Sequence, residues 1–506
     1  MMMHPQAILI FSVFIVASCG LAYELVMAAL ASYLLGDSIL QFSSIIGLYL
    51  FAMGIGAHLT RYIPDRDTLK RFIEIELFVG LIGGLSALFL FVAFGLQSAP
   101  FRTLLYALVL LVGAVVGMEI PLVMRVLNDE KTAFKDLVAR VLTFDYLGAL
   151  AVSLLFPLVL APKLGMARSA LLFGILNAAV AMLTARLFRD RLPAYRALQS
   201  RAVLVLAGLL LAFAYAGRIT LAAEQRYFGD PIVYQSHSPY QRLAITRWQD
   251  DIRLYLNGNL QFSSKDEARY HEALVLPAMQ TAARRDKVLI LGGGDGLAAR
   301  EVLKYPDVQQ VTLVDLDPEM TRTFQTAAAL TQLNANALKH PKMQIVNADA
   351  AQWLEQNRER FDVMIIDLPD PSNFSLGKLY SVPMYRLAAR HLADGGKMAV
   401  QSTSPYFAPN AYWSVVKTLE TAGLHTAPYH VYVPSFGEWG FVLASARADL
   451  RVPARFDVPT RFLNADTAAQ MFRFPPDMAR REVEANYLNN QALVAYFADD
   501  WAKVIR

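Results

Sequence analysis

Seven apolar stretches in the first 222 residues constrain this chain more than any other feature. They lie near 7–34, 41–60, 74–96, 103–124, 144–162, 167–187 and 202–222. Each is close to the ~20 residues that a helix needs to cross a bilayer core. There, every backbone N–H and C=O must be satisfied within the segment, which leaves the helix as the form such stretches take. The sequence therefore predicts an N-terminal all-α transmembrane helix bundle over residues 1–223, in a multi-pass protein of the cell (inner) membrane, with the lipid bilayer as a partner. Composition agrees: 55% of the 506 residues are hydrophobic and 18% charged, against about 25% charged in ordinary soluble domains. The first stretch does not read as a cleaved leader. No Lys or Arg precedes it, it outruns a leader's apolar core, and more spans follow at once.

Basic residues cluster in the even loops: Arg61, Arg66, Lys70 and Arg71, then Arg125, Lys131, Lys135 and Arg140, then Arg186, Arg189, Arg191 and Arg196. The odd loops hold only Arg102, Lys163 and Arg168. The positive-inside rule puts the even loops and the N-terminus in the cytoplasm, and seven crossings would carry the rest of the chain outward. Glu24, Glu119 and Asp145 sit within or at the edges of spans. Ionisable groups there are costly, and they either cap and pair locally or line a polar pathway. Cys19 is the only cysteine, which excludes a disulfide within the chain. A net charge of +4 with no dense basic block argues against a nucleic-acid partner.

From about residue 224 the pattern changes. Residues 231–262 alternate apolar and polar, and Asn257-Gly258 is a hairpin signal, so a small antiparallel β domain is expected over 224–280. It ends in a helix that starts after Asp266. Strands then alternate with helices: 288–291, 311–314, 344–346, 363–366 and 397–400. That spacing predicts an α/β doubly wound, Rossmann-like domain over 281–450, of the class I methyltransferase kind. Residues 451–506 read as a C-terminal extension with short helices.

Ligands of such sheets sit at the carboxyl ends of the strands, and here those ends are acidic. Strand one runs into Gly292-Gly293-Gly294-Asp295-Gly296, strand two ends in Asp315 and Asp317, strand three in Asp349-Ala350, strand four in Asp367-Leu368-Pro369-Asp370, and strand five in Gln401. The G-x-G-x-G spacing of Gly292, Gly294 and Gly296 is not the G-x-G-x-x-G of a nicotinamide site. Glycines let the backbone approach a ligand. Asp315 suits ribose hydroxyls, and Asp349 is placed to meet an adenine amino group. These loops present no Lys or Arg to a phosphate. The set suggests an adenosine ligand without phosphate, of the S-adenosyl type.

Asp295 narrows this further. The tail of intact S-adenosylmethionine ends in a carboxylate, which an aspartate at 4 Å would repel by ~1–4 kcal/mol depending on the dielectric. A decarboxylated tail ends in an ammonium, which Asp295 attracts. Asp367 and Asp370 extend the same field, so the second substrate should also be cationic, and a polyamine fits.

The motifs SPYQ (238–241), DEARYHE (266–272), GGGDG (292–296), VDLD (314–317) and DLPDP (367–371), in this order, resemble the spermidine synthase family of polyamine aminopropyltransferases. The resemblance covers roughly residues 225–445, and the apolar half looks like the multi-span extension of some bacterial members. It implies aminopropyl transfer from decarboxylated S-adenosylmethionine to putrescine or a related amine, giving spermidine and methylthioadenosine. It implies Asp367 as the catalytic acid–base, Tyr270 as support for the attacking amine, and Asp370 as the hold on the far end of the diamine. Gln241, Gln261, His271, Asp295, Asp315 and Asp349 would form the shell around donor and acceptor, with Gln401 a polar acceptor contact. No permanently bound cofactor and no metal is expected, and the dimers and tetramers of soluble relatives imply homo-oligomerisation.

Three departures bear on specificity. Asp315 stands where the family usually has Glu, and Ala350 where it usually has Gly. Phe436 stands where soluble members often have a Tyr that touches the polyamine, with Glu438 a candidate replacement acid. Two other functions share some of these features. One is a methyltransferase using intact S-adenosylmethionine, which Asp295 opposes. The other is a polyamine sensor or transporter without catalysis. The donor is made in the cytosol, which favours a cytoplasmic catalytic domain against the loop charges.

Overall fold

The computed structural model describes residues 5–35, 39–96, 101–128 and 134–504. Lys131, one of the loop cations above, lies outside the described residues. The chain divides into two compact units, Met1–Pro231 and Ile232–Arg506.

The first unit is helical: α1 (Pro5–Leu35), α2 (Ile39–Leu59), α3 (Thr68–Gly95), α4 (Phe101–Val116), α5 (Glu119–Leu127), α6 (Phe134–Leu155), α7 (Ala161–Leu187) and α8 (Tyr195–Phe228). Among the described residues, six helical segments are long and apolar enough to cross a membrane, by length and composition. One of them, Phe134–Leu187, holds both the fifth and sixth expected spans. The π-helical turn Phe156–Leu160 and the non-helical Gly165 (φ 75°) mark a kink between its halves, which lies where the fifth and sixth expected spans meet. Small residues let helices meet closely. A Cβ at Gly80 of α3 would lie 2.9 Å from the Gly174 carbonyl of α7, and one at Gly174 only 2.5 Å from the Gly80 carbonyl, the kind of contact that apolar helices use when water does not drive them together. Helix α8 runs past residue 223 and ends at Gly229 (φ 74°), which moves the unit boundary to Pro231.

The second unit opens with β1 (Ile232–His237), β2 (Arg242–Trp248), β3 (Asp251–Leu256) and β4 (Asn259–Ser263), an antiparallel sheet in sequence order. Asn257 and Gly258 turn β3 into β4 with φ of 49° and 85°, the left-handed pair that a tight hairpin needs. Helix α9 (Glu267–Thr281) follows. The second sheet comprises β5 (Lys287–Gly292), β6 (Gln310–Asp315), β7 (Met343–Asn347), β8 (Phe361–Asp367), β9 (Leu392–Gln401), β10 (His425–Val433) and β11 (Gly437–Ser445), in the order β10-β11-β9-β8-β5-β6-β7. Strands β9 to β7 are parallel; β10 and β11 are antiparallel. The order reverses between β5 and β8, where such folds bind their ligands.

Helices α10 (Leu297–Val302), α11 (Pro318–Thr326), α12 (Ala328–Leu333), α13 (Ala350–Gln356), α14 (Phe374–Gly377), α15 (Val382–Arg390) and α16 (Pro409–Thr421) cover the sheet. Alternation along the strands makes two apolar layers. Val288, Ile290, Val311, Leu313 and Ile365 pack with α9 to α11, while Leu289, Leu291, Val314, Met364 and Ile366 pack with α15 and α16. Full burial of each such side chain contributes roughly 1.5–3 kcal/mol. The tail, with α17 (Ala465–Met471) and α18 (Ala492–Trp501), is fastened by acids. Glu272 accepts from the amides of Arg461, Phe462 and Leu463 at 2.6, 2.9 and 2.9 Å, and Asp500 from the Asn410 amide at 2.8 Å.

Candidate active site

The glycine loop is shaped by what touches it. Gly292, Gly293 and Gly296 have φ of 81°, 64° and 77°, which only glycine adopts without strain. A Cβ at Gly292 would lie 2.0 Å from the Asp367 carbonyl of β8, and one at Gly294 2.6 Å from Asp315 Oδ2 of β6. The loop is thus wedged between the ends of both neighbouring strands. Asp315 is fixed by two amides, accepting from Gly294 N at 3.0 Å and Asp317 N at 2.8 Å. Asp295 accepts from Leu297 N at 2.9 Å and is buried, so it closes the loop and keeps its charge at the strand ends.

Asp367 and Tyr270 meet directly: the phenol of Tyr270 donates to Asp367 Oδ1 at 2.7 Å. Tyr270 is held by rings on its other sides, with Phe441 at 5.3 Å, Phe436 at 6.3 Å and His271 at 5.0 Å between centroids. His271 is buried, and its Nδ1 lies 2.8 Å from the Glu267 carbonyl and 3.0 Å from Glu267 Oε2. Glu267, fully buried, also takes Arg300 at 2.8 Å and Arg461 at 2.6 Å. A chain of polar contacts thus runs from the tail through Arg461 and Glu267 to His271, which packs against Tyr270 beneath Asp367.

A second carboxylate stands nearby. Asp370 accepts from Gln401 Nε2 at 2.7 Å and from Thr403 Oγ1 at 3.3 Å. Gln401 in turn accepts from the Tyr380 hydroxyl at 3.0 Å, which also lies 2.9 Å from the Leu368 carbonyl and 3.0 Å from that of Pro369. Tyr380 therefore braces the whole Asp-Leu-Pro-Asp loop. The motif reading missed it, although Ser381-Val382-Pro383 marks a helix start just beyond that loop; Ser381 caps α15. It also missed Thr403, a β-branched residue at φ 59°, a strained backbone of the sort that collects at functional sites.

Several expected shell residues make bonds of their own. Gln241 bonds Asp317 Oδ2 at 2.9 Å, as does Ser238 Oγ at 2.8 Å, so the SPYQ turn is fastened to the cap of α11. Gln261 turns its amide onto its own strand, donating to the Asn259 carbonyl at 3.2 Å. Asp349 caps α13, with Oδ1 taking Ala351 N at 2.9 Å and Gln352 N at 3.1 Å, while Lys378 reaches Oδ2 at 3.3 Å. Both oxygens of Asp349 are thus engaged within the protein, and Lys378 brings a cation to the acid-lined edge. Ala350 is buried as the first residue of α13. Glu438 is no replacement acid for Phe436. It bonds His430 Nδ1 at 3.0 Å, and strand alternation puts it on the face of β11 opposite Phe441 and Tyr270.

Burial dominates the electrostatics. It pushes the carboxyls of Asp315, Asp367 and Asp370 each up to about 6 and raises Asp295 as well. Asp295 lies within electrostatic reach of both Asp367 and Asp315. Burial and the adjacent Asp367 together drive the Tyr270 phenol well above its usual range, so it stays a donor. Burial lowers His271, but Glu267, Asp295 and Asp367 outweigh that and hold it above its ordinary value. Against burial, His271 and Arg300 keep Glu267 far below the carboxylate range. The arrangement is a cluster of partly or fully buried carboxyls at the strand ends. It attracts cations and holds one carboxylate, Asp367, where a phenol orients it.

The comparisons agree with one another. The spermine/spermidine synthase domain matches residues 267–454. Polyamine aminopropyltransferase 2 of Ralstonia nicotianae is 61% identical, with 100% of each chain covered. The polyamine aminopropyltransferase of Leptospira interrogans is 47% identical, covering 99% of this chain and 100% of that one. A crystal structure of spermidine synthase in complex with the transition state analogue AdoDATO aligns with a TM-score of 0.45 at 25% identity, over 48% of this chain and 85% of that one. On the strength of the full-length relatives, this chain belongs to the polyamine aminopropyltransferases, the spermine/spermidine synthase family.

Proposed function

We propose that this enzyme transfers the aminopropyl group of decarboxylated S-adenosylmethionine to putrescine or a closely related diamine. The observation that carries the reading is the Asp367–Tyr270 pair inside a cluster whose other acids are Asp295, Asp315 and Asp370. Burial pushes three of these carboxyls up to about 6. Two cationic reactants entering such a cluster meet charges that were costly to bury alone.

The chemistry follows. An amine nitrogen attacks the carbon next to the sulfonium. The carbon–sulfur bond breaks, its electron pair returns to sulfur, and neutral methylthioadenosine leaves without an acid. The attacking amine has an ordinary pKa near ~10, like lysine, so it must shed a proton, and Asp367 takes it. Tyr270 aims that carboxylate and Asp370, held by Gln401 and Thr403, takes the far ammonium. Asp295 holds the donor's ammonium and Asp315 the ribose. Holding the two reactants in line supplies much of the remaining acceleration.

The helical unit is proposed to lie in the bilayer of the cell membrane, with the catalytic unit on the cytosolic side where the donor is made. Support comes from its outward side chains, among them Phe51, Leu158, Leu204 and Leu211 at 64%, 72%, 71% and 62% exposure, far more apolar surface than a water-soluble bundle shows. A reporter fused after Arg506 tests the orientation, and activity only in a periplasmic reporter would overturn it.

The transfer itself is tested by incubating the purified full chain with the decarboxylated donor and a panel of diamines, then reading products by mass. An aminopropylated diamine plus methylthioadenosine, lost in Asp367→Asn, is the expected result. Methyl transfer from intact S-adenosylmethionine would overturn it.

A further inference from the structure

The helical unit contains a second set of acids that aminopropyl transfer does not use. A cavity of about 190 Å³ opens among α1, α2, α5 and α6. Glu24, Glu119 and Asp145 line it together with Tyr49, and no Lys or Arg does. Glu119 is 2% exposed, and its Oε1 accepts no hydrogen bond from any described residue. Glu76 on α3 is fully buried, both of its oxygens are likewise unmet, and it lies within electrostatic reach of Glu119. The remaining walls are mostly aliphatic, including Val13, Val16, Met53 and Ile120.

We propose that this cavity binds an alkyl polyammonium ion, a short diamine or polyamine, inside the helical unit and separately from the transfer site. Carboxylates at intervals along an aliphatic slot match a ligand with ammonium ends and a methylene middle. The unmet Glu119 oxygen is the acceptor that such an ammonium would satisfy, since a buried polar atom without a partner is costly. A bare inorganic cation fits less well. Hard divalent ions take roughly six to eight oxygens, and the aliphatic walls supply none from their side chains. The volume is below the ~300 Å³ at which drug-sized pockets begin, which selects for a slender ligand.

The test is equilibrium binding of radiolabelled putrescine to the full-length chain in detergent micelles, with excess sodium and potassium present. Wild type is expected to take up two equivalents. Glu119→Gln and Asp145→Asn should each weaken one of them by at least about tenfold and leave aminopropyl transfer unchanged. Glu119→Asp, which keeps the charge, should retain both. Asp370→Asn should lose the other equivalent, the one at the transfer site. A single equivalent in wild type, or two that persist in Glu119→Gln, would overturn the cavity proposal. So would full displacement of the second equivalent by sodium or potassium, since the site would then belong to an inorganic cation. If Asp370→Asn keeps both equivalents while Glu119→Gln loses one, the transfer-site reading fails and the cavity proposal stands.

Discussion

The Tyr270 hydroxyl sits 2.7 Å from Asp367 Oδ1 and donates to it, and this pair separates aim from chemistry. Asp367 accepts the proton of the amine, so Asp367→Asn should lower kcat by ~10²–10⁴-fold, the range for losing a general base. Tyr270→Phe keeps the ring stack with Phe441 and His271 and removes one hydrogen bond, a loss of ~1–1.5 kcal/mol, or about tenfold in kcat. Steady-state rates with saturating donor check both. Equal losses in the two variants would mean that Tyr270 and Asp367 act on the proton as one unit, and that aim and chemistry are not separable.

The pH profile should be steep on the acid side. Burial pushes Asp315, Asp367 and Asp370 up to about 6; Asp367 must be ionised to take the amine's proton, and Asp370 to hold the far ammonium. The sign follows: a bound cation favours the carboxylate, so each pKa falls on binding and protons leave. As pH drops below 6 the sites fill with protons and kcat/KM falls with a slope above one. Calorimetric titration of the decarboxylated donor at pH 6, repeated in buffers of different ionisation enthalpy, should show net proton release. Proton uptake would contradict the assigned charge states.

The glycine loop gives a packing prediction. Gly294 is not at positive φ, so its constraint is contact alone: an added Cβ would meet Asp315 Oδ2 at 2.6 Å. Gly294→Ala must push Asp315 off the two amides that hold it, raising the donor KM by about tenfold or more while the fold survives. Gly292→Ala adds backbone strain at φ 81° to a 2.0 Å clash with the Asp367 carbonyl and should lower the melting temperature too. Methylthioadenosine affinity and thermal unfolding distinguish the two outcomes.

Much of this site was legible from residue order because strand ends are local. An apolar run followed by an acid marks where a parallel strand stops, and Asp315, Asp367 and Asp370 all lie at that edge. What residue order does not show is which contacts a side chain makes. Asp349 looks like any strand-end acid until its two amide contacts make it a helix cap. Gln261 sits in a motif-rich stretch, but its amide turns back onto its own strand. Tyr380 and Thr403 carry no motif; one acts through a hydroxyl that reaches back over the Asp-Leu-Pro-Asp loop, the other through a backbone angle. Spans five and six, 144–162 and 167–187, meet at a kink: a π-helical turn carries the chain past Pro157, and Gly165 breaks the helix between them.

The fate of Glu438 turns on strand parity and yields the sharpest contrast. Phe441, three residues on in β11, meets Tyr270 edge to face at 5.3 Å, so Glu438 points to the opposite face, where it meets His430. An odd offset along a strand reverses the face, and no reading of the local motif VPSFGEWGF supplies the pairing that fixes it. Glu438→Gln should therefore leave the diamine KM within about twofold, as its carboxylate is engaged with His430 on that other face. Gln401→Ala should raise the same KM by about tenfold, since Asp370 loses the 2.7 Å bond that holds it and a hydrogen bond to a charged group is worth ~1.5–3 kcal/mol. Kinetics with putrescine as the varied substrate decide the matter. A large effect of Glu438→Gln with none from Gln401→Ala would place the acceptor on the far face of the sheet and displace Asp370 from its role.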